Sequence, residues 1–198
     1  MKVVILDNGH GGMINGVYQT AGKRSPNWEK GVLYEGVFNR LIIDKVADEL
    51  ERLCIPYIVL VPELEDISLA TRIERINKYY AKNKNVWLFS QHANAGGGRG
   101  FEAFTTIGQT KSDDYAEIIL TNLETDFPEI PMRYDLSDRD KDKESDFYIL
   151  KKSKCPAVLV ESLFMDNKED YNLLWSEVFQ DRLVKSYVKS IKKIYESK

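Results

Sequence analysis

Histidine and cysteine, the residues that most often bind transition metals, are scarce in this sequence of 198 residues. The two cysteines, Cys54 and Cys155, lie far apart and lack CxxC spacing, which excludes a disulfide framework and a thiolate zinc site. We expect both thiols to be buried. The two histidines are His10 and His92, so any imidazole chemistry depends on where these two side chains lie.

Long apolar runs and an excess of positive charge are also missing. No segment approaches the roughly 20 apolar residues that span a bilayer, so we expect no membrane insertion. The net charge of -3 offers no electrostatic case for a nucleic-acid partner. The first apolar run starts at Val3, which leaves no room for a signal peptide. Nothing in the sequence indicates an oligomeric state.

The elements that are present indicate an α/β fold. Short β-branched apolar runs alternate with amphipathic segments, which predicts one three-layer domain over residues 1–198, with a mainly parallel twisted sheet and helices on both faces. We expect no linker or second module. The predicted strands are 3–6, 57–61, 86–91, 101–107 and 156–160, and the predicted helices are 34–53, 68–80, 113–126, 167–175 and 178–195.

Three segments carry more detailed expectations. The long glycine-rich loop 11–30 is typical of a functional or a disordered loop, and the charge run 138–144 is typical of a solvated surface loop. Apolar residues at helical spacing predict the buried face of helix 34–53. That face consists of Leu33, Val37, Leu41, Ile42, Val46, Leu50 and Leu53.

Chemically active side chains follow three of the predicted strands. His10, His92 and Glu161 each stand at the carboxyl end of an apolar run. Because the carboxyl ends of parallel strands share one rim of a sheet, we expect these side chains to converge there. Glu35 sits in the first turn of the first helix, and a right-handed crossover begins at that same rim.

This set of residues has the composition of a catalytic zinc site. Such sites take three protein ligands from histidine and carboxylate and keep the fourth position for water. His10, His92 and Glu35 satisfy that count and leave Glu161 to carry a proton, an arrangement that hydrolyses amides. Blander interpretations stay open: Glu35 also suits a helix N-terminus, and Asp7 either orients His10 or forms the turn.

Several short motifs, in this order and spacing, resemble one enzyme family across nearly the whole chain. They are Leu6–Gly12 (LDNGHGG), Glu35 with Phe38 and Asn39, Arg72–Asn77, Ser90–Ala95 (SQHANA), Gly100–Glu102, and Pro156–Glu161 with Phe164–Asn167. The pattern resembles the zinc-dependent N-acetylmuramoyl-L-alanine amidases of the Amidase_3 type. Three departures stand out: Asn8 replaces the usual proline, 139–143 replaces a basic-Gly-Val-Lys stretch, and Ser162-Leu163 replaces a step that contains glycine.

The resemblance implies one zinc ion held by His10, Glu35 and His92, with Glu161 as the catalytic carboxylate. It also implies the substrate, the amide between the lactyl group of N-acetylmuramic acid and L-alanine in peptidoglycan. Asn94, close after His92, is a candidate contact to the substrate or the oxyanion. Without a leader or a separate cell-wall-binding domain, the chain is more similar to a phage or prophage lysin that acts on the bacterial cell wall.

Two other functions stay open at this level. A zinc peptidase or carboxypeptidase needs a group near the metal that binds a carboxylate, and Arg99 is the arginine close to His92 in sequence. A non-catalytic wall-binding domain is the second alternative. The presence of all four site residues argues against it, because loss of metal ligands marks such domains.

Overall fold

The computed structural model describes residues 1–137 and 139–197, so Asp138 of the charge run and the terminal Lys198 lie outside the described residues. Its main sheet has six strands in the order β4-β1-β5-β8-β6-β7. The first four are parallel, β6 runs antiparallel to β8, and β7 pairs parallel to β6. The strands are β1 (Val3–Asp7), β4 (Tyr57–Val59), β5 (Val86–Asn94), β6 (Phe101–Thr105), β7 (Lys143–Glu144) and β8 (Ala157–Phe164), and β2 (Met13–Ile14) with β3 (Val17–Tyr18) forms a separate hairpin.

Helices cover both faces of this sheet and form the outer layers. Val4 and Leu6 of β1 pack into one apolar cluster with helices α1, α3 and α6, whereas Ile5 packs into a second cluster with α2 and α4. The predicted α/β architecture is therefore confirmed. The helices are α1 (Glu35–Arg52), α2 (Leu69–Lys82), α3 (Lys111–Asp126), α4 (Tyr148–Lys152), α5 (Lys168–Leu174) and α6 (Glu177–Glu196). None of them, within the described residues, combines the length and apolar character needed to cross a bilayer.

The predicted inner face of α1 is partly wrong. Val37, Leu41 and Leu53 are 39%, 40% and 46% exposed. The helix buries a stripe whose members recur at intervals of three and four residues, and Val37 and Leu41 lie beside that stripe rather than on it. The apolar side chains of the stripe are Phe38, Ile42, Ile43, Val46, Ala47 and Leu50.

The expectation that both cysteines are buried is also wrong. Cys155 is buried, but Cys54 is exposed. Cys54 follows the last turn of α1 in a left-handed conformation with φ 54°. The turn sends Ile55 into the core, where its amide donates to the Leu50 carbonyl, and leaves the Cys54 thiol in solvent.

The charge run is not a fully solvated loop. Asp142 is only 1% exposed and accepts a hydrogen bond from the Thr105 hydroxyl at 2.7 Å. Lys143, next to it, forms β7 with Glu144. Pairing with the end of β6 draws this polar segment against the sheet, which a reading of charge alone does not detect.

Candidate metal centre and active site

The structure brings His10, Glu35 and His92 together at the carboxyl ends of the central strands. Glu35 Oε1 lies 3.1 Å from His10 Nε2 and 2.9 Å from His92 Nδ1. Three ligand atoms, one from each residue, fall within 4.8 Å of one another. Ligands about 2.1 Å from a tetrahedral zinc ion stand about 3.4 Å apart, so the two distances to Glu35 fit a zinc site after shifts of a few tenths of an ångström.

The charge of Glu35 also suits a metal ligand. Burial raises the pKa of the Glu35 carboxyl, but hydrogen bonds with His10 and His92 outweigh burial and hold that pKa well below its ordinary value. Burial lowers the pKa of His92, and the hydrogen bond to Glu35 more than reverses this effect. Glu35 is therefore an ionised carboxylate, as metal binding requires.

Buried polar side chains hold the loop that carries His10. This residue has φ 71°, a left-handed conformation that costs free energy outside glycine. Its carbonyl accepts hydrogen bonds from Arg40 Nη1 at 2.8 Å and Arg72 Nη2 at 3.0 Å, and Asn39 Nδ2 donates to the Gly9 carbonyl at 3.1 Å. These donors fix the loop in a conformation that directs the His10 ring at Glu35.

Two glycines permit the close approach of the ligands. A Cβ atom on Gly9 would lie 2.3 Å from Cε1 of His92, and a Cβ atom on Gly36 would lie 1.9 Å from the Gly11 carbonyl oxygen. The first turn of α1 therefore packs directly on the loop after β1. This contact is what carries Glu35 to the histidines.

Glu161 faces the same cavity and completes the predicted set. In the parallel pairing of β5 with β8 it lies opposite His92. Its Oε2 atom is buried and has no hydrogen-bond partner among the described residues. Burial raises the pKa of Glu161 to about 7, against the attraction of His92 and with added repulsion from Glu35 and Glu102. A carboxyl group tuned in this way is able to take up and release a proton at neutral pH.

The family model for N-acetylmuramoyl-L-alanine amidase, Amidase_3, matches residues 4–193. The chain belongs to this amidase family. It is 26% identical over 200 residues to an endolysin of Bacillus phage SPP1, a match that covers 100% of this chain and 67% of the phage protein. It is 25% identical over 207 residues to a sporulation-specific N-acetylmuramoyl-L-alanine amidase of Bacillus subtilis, covering 100% and 70% of the two chains.

Solved structures show the same fold. The N-acetylmuramoyl-L-alanine amidase from Clostridium difficile 630 superposes with a TM-score of 0.80 at 24% identity and covers 100% of this chain and 98% of that chain. The catalytic domain of CwlV from Bacillus (Paenibacillus) polymyxa gives 0.74 at 22% identity, with 100% of both chains covered. The amidase fold thus extends over the whole chain.

Of the remaining predicted site residues, Asp7 lies beneath the amidase centre. Its carboxylate accepts hydrogen bonds from Arg72 Nη1 and, at 2.6 Å, from Ser90 Oγ. Arg72 in turn holds the His10 carbonyl. Asp7 therefore acts on His10 through Arg72, a residue that sequence reasoning placed in a motif but not in the site.

Asn94 and Arg99 have different positions. Asn94 lines the cavity, where its Nδ2 donates to Glu102 at 2.8 Å and its Oδ1 accepts from the Ala95 amide at 2.7 Å. Arg99 does not line the cavity and pairs with Glu169 at 2.9 Å. The structure therefore brings Asn94 to the amidase cavity but not Arg99.

Glu102 is a buried residue beside the candidate site that sequence reasoning did not include. It lies opposite Glu161 in the antiparallel pairing of β6 with β8 and is 3% exposed. Besides Asn94, it accepts hydrogen bonds from Arg133 Nε and, at 2.8 Å, from Lys143 Nζ. The Gly100–Glu102 motif was the available signal, but a residue at the start of an antiparallel strand does not follow from the rule on carboxyl ends.

The cavity has a volume of about 770 Å³ and an apolar lip. Leu69, Phe147 and Tyr148 line it while 50%, 41% and 45% exposed. Lys23, from the predicted functional loop 11–30, also lines it and is exposed. Aromatic and aliphatic surface beside a polar centre suits a ligand that carries both sugar and peptide groups.

Proposed function

We propose that this amidase cleaves the amide between the lactyl group of N-acetylmuramic acid and L-alanine in peptidoglycan, using one zinc ion and Glu161. The observation that carries the proposal is the unpartnered Glu161 Oε2, which faces the same cavity as His10, Glu35 and His92. A buried polar atom normally has a hydrogen-bond partner, so an orphaned carboxylate oxygen beside a metal-binding group indicates a place for a reacting water molecule.

His10, Glu35 and His92 are the residues that hold the metal in this proposal. When bound, zinc polarises the scissile carbonyl and lowers the pKa of a water molecule to about 7. Glu35 supplies the negative charge of the ligand set, and its buried position between the two imidazole rings fixes their orientation. Arg40 and Arg72 keep the loop of His10 in place.

Glu161 moves the proton. Its Oε2 atom accepts the proton of the attacking water and then donates it to the nitrogen of the departing L-alanine, so that the amine leaves as a neutral group. Because the pKa of Glu161 is raised to about 7, the carboxyl group is able both to take up and to release a proton at neutral pH. The group therefore serves first as base and then as acid.

The structure favours the amidase over the two alternatives. A carboxypeptidase needs a cation for the terminal carboxylate, but Arg99 pairs with Glu169 and Asp170 outside the cavity. Arg72 lines the cavity, yet its nitrogens donate to Asp7, His10 and Ile67. A non-catalytic domain has no need for a buried carboxylate with a raised pKa beside an intact metal-binding group.

The test is to digest purified sacculi with the zinc-loaded protein and identify the amine that appears. The proposal predicts new N-terminal L-alanine on otherwise intact stem peptides. Release of D-alanine would instead identify a carboxypeptidase. Glu161→Gln serves as the control and is expected to release nothing, and binding of the wild type to sacculi without cleavage would identify a wall-binding domain.

We further propose that this domain alone is sufficient for lysis of the cell wall. The resemblance to the SPP1 endolysin supports this role. The protein added alone to purified cell walls should lower their turbidity. If turbidity falls only when a second wall-binding protein is present, the single-domain part of the proposal is wrong.

A further inference from the structure

A second group of carboxylates lies away from the metal centre. Asp113, in the first turn of α3, meets Asp140 and Asp142, which precede β7, and one oxygen from each lies within 4.8 Å of the others. Thr105, which contacts this group, ends β6 three residues beyond Glu102. The group therefore lies at the end of β6 that points away from Glu161.

One carboxylate of this group has a buried oxygen that nothing satisfies. Asp142 is 1% exposed, and its Oδ1 atom has no hydrogen-bond partner among the described residues. Such an atom normally finds a donor, because leaving a buried polar group unpaired costs about 1–3 kcal/mol and more for a charge. The orphaned oxygen therefore points to a ligand that binds beside it.

The protons available to Asp142 do not satisfy both of its carboxylate oxygens. Thr105 Oγ1 lies 2.9 Å from Asp113 Oδ1 and 2.7 Å from Asp142 Oδ2, yet a hydroxyl carries one proton. Within residues 1–137 and 139–197, no lysine or arginine forms an ion pair with Asp113 or Asp142. Burial raises the pKa of Asp142 to about 7, and the charges of Asp140 and Asp113 add to the effect. A cation among these oxygens would bind the unpartnered Asp142 Oδ1 atom and reduce the repulsion between the carboxylates.

We propose that Asp113, Asp140 and Asp142 bind a hard divalent cation, calcium in preference to magnesium, at a site separate from the zinc centre. Carboxylate and hydroxyl oxygens are the ligands of such cations. Calcium accepts oxygen ligands at about 2.3–2.6 Å in flexible geometry, so oxygens up to about 5 Å apart reach one ion. Magnesium needs about 2.1 Å and near-octahedral order, which a loop and a helix end with this spacing supply less well.

The site has a consequence for the active site. Asp142 is followed directly by Lys143, whose Nζ donates to Glu102, and Glu102 receives the hydrogen bond of Asn94 in the catalytic cavity. A cation bound at this site links the segment before β7 to α3 and Thr105. It therefore fixes the backbone from which the Lys143 side chain extends. We infer that the cation stabilises the fold and keeps Lys143, Glu102 and Asn94 in their positions beside the cavity.

The test is a calcium titration of the zinc-loaded protein in cation-depleted buffer, so that the catalytic centre is already filled. Isothermal titration calorimetry is expected to show one calcium site per chain. The Tm is expected to rise by about 5–10 °C at a calcium concentration about a hundredfold above the Kd. Magnesium chloride is expected to give a smaller rise.

Variants separate this site from surface binding. Asp142→Asn and Asp140→Asn should each abolish the calcium-dependent rise in Tm, whereas Asp146→Asn, an exposed aspartate in the same segment, should keep it. No heat and no change in Tm for the wild type at about 10 mM calcium would overturn the proposal. So would an equal rise in the Asp142→Asn protein, or a wild type that is stabilised by lower pH but not by calcium, since the carboxylates would then share a proton.

Discussion

His92 and Glu161 lie opposite each other on adjacent parallel strands, and both side chains line the same cavity. The His92 Nδ1 atom is directed at Glu35, 2.9 Å away, whereas Glu161 Oε2 has no partner among the described residues. One strand register thus brings the proposed metal ligand and the proposed proton carrier to the same cavity. A substitution of His92 should therefore reduce metal binding, whereas a substitution of Glu161 should reduce turnover and leave the metal bound.

The buried ion pair of Asp7 with Arg72 should dominate the stability of the ligand loop. The two side chains are 1% and 2% exposed. Arg72→Met leaves the Asp7 carboxylate buried without a counter-charge and should lower the free energy of unfolding by about 3–5 kcal/mol. The double variant Asp7→Asn with Arg72→Met should recover part of that loss. Urea unfolding measures both effects.

The matched control is Arg75, one turn along the same helix. Its pair with Glu63 is about a third exposed, so Arg75→Met should cost about 1 kcal/mol or less. If the Arg72 and Arg75 variants lose equal stability, the ion pair beneath the ligand loop does not have the role assigned to it.

Gly9→Ala should expel the metal while leaving the fold in place. The new Cβ would meet the His92 ring at 2.3 Å, so the ring must turn out of the ligand set. We expect loss of bound zinc by atomic absorption with an unchanged circular dichroism spectrum. Gly16→Ala is the control: its φ of 78° strains the backbone of an alanine, but its Cβ meets nothing within 4 Å, so it should lose some stability and keep zinc. A Gly9→Ala protein with full zinc content would show that His92 does not bind the metal as inferred.

Glu102→Gln should lower kcat by about 10- to 100-fold with zinc retained. The change removes the charge that Arg133 and Lys143 share and weakens the hold on Asn94. Glu144→Gln, an exposed substitution beside Lys143, is the control and should leave kcat unchanged. Equal rates for the wild type and Glu102→Gln, measured on soluble peptidoglycan fragments, would exclude a positioning role.

Asp142 predicts a pH-dependent stability in metal-free buffer. Its pKa is about 7 in the folded protein against 3.8 ordinarily, so the folded state binds the proton more tightly than the unfolded chain does. The stability that Asp142 contributes is therefore largest below about pH 4 and falls as the pH rises through about 7.

The difference between the wild type and Asp142→Asn isolates this effect from other titrating groups. Urea unfolding over that range should show the wild type losing stability relative to the variant as the pH rises. Asp146→Asn should follow the wild type. A constant difference between wild type and Asp142→Asn would mean that Asp142 titrates normally.

The mainly parallel sheet and the convergence of His10, His92 and Glu161 follow from the sequence because short apolar runs such as Val3–Leu6 specify buried parallel strands. Their carboxyl ends necessarily share a rim. Glu35 joins them because α1 starts at that rim. Local sequence patterns and the rule on the carboxyl ends of parallel strands are therefore sufficient to predict that these four residues lie together.

Other features depend on contacts that no local pattern encodes. Glu102 reaches Glu161 because β6 enters the sheet antiparallel, and its partners Arg133 and Lys143 come from a distant segment. Asp142 lies in a charge run, yet pairing of β7 with β6 buries it. Cys54 is apolar in context but is exposed by the turn that ends α1.

Metal analysis of the wild type beside His10→Ala and Glu161→Gln tests the central claim most directly. We expect one zinc ion per chain in the wild type and loss of both zinc and activity in His10→Ala. Glu161→Gln should keep its zinc while kcat falls by about 10²- to 10⁴-fold. Loss of zinc from Glu161→Gln, or a wild type that binds no zinc after supplementation, would contradict it.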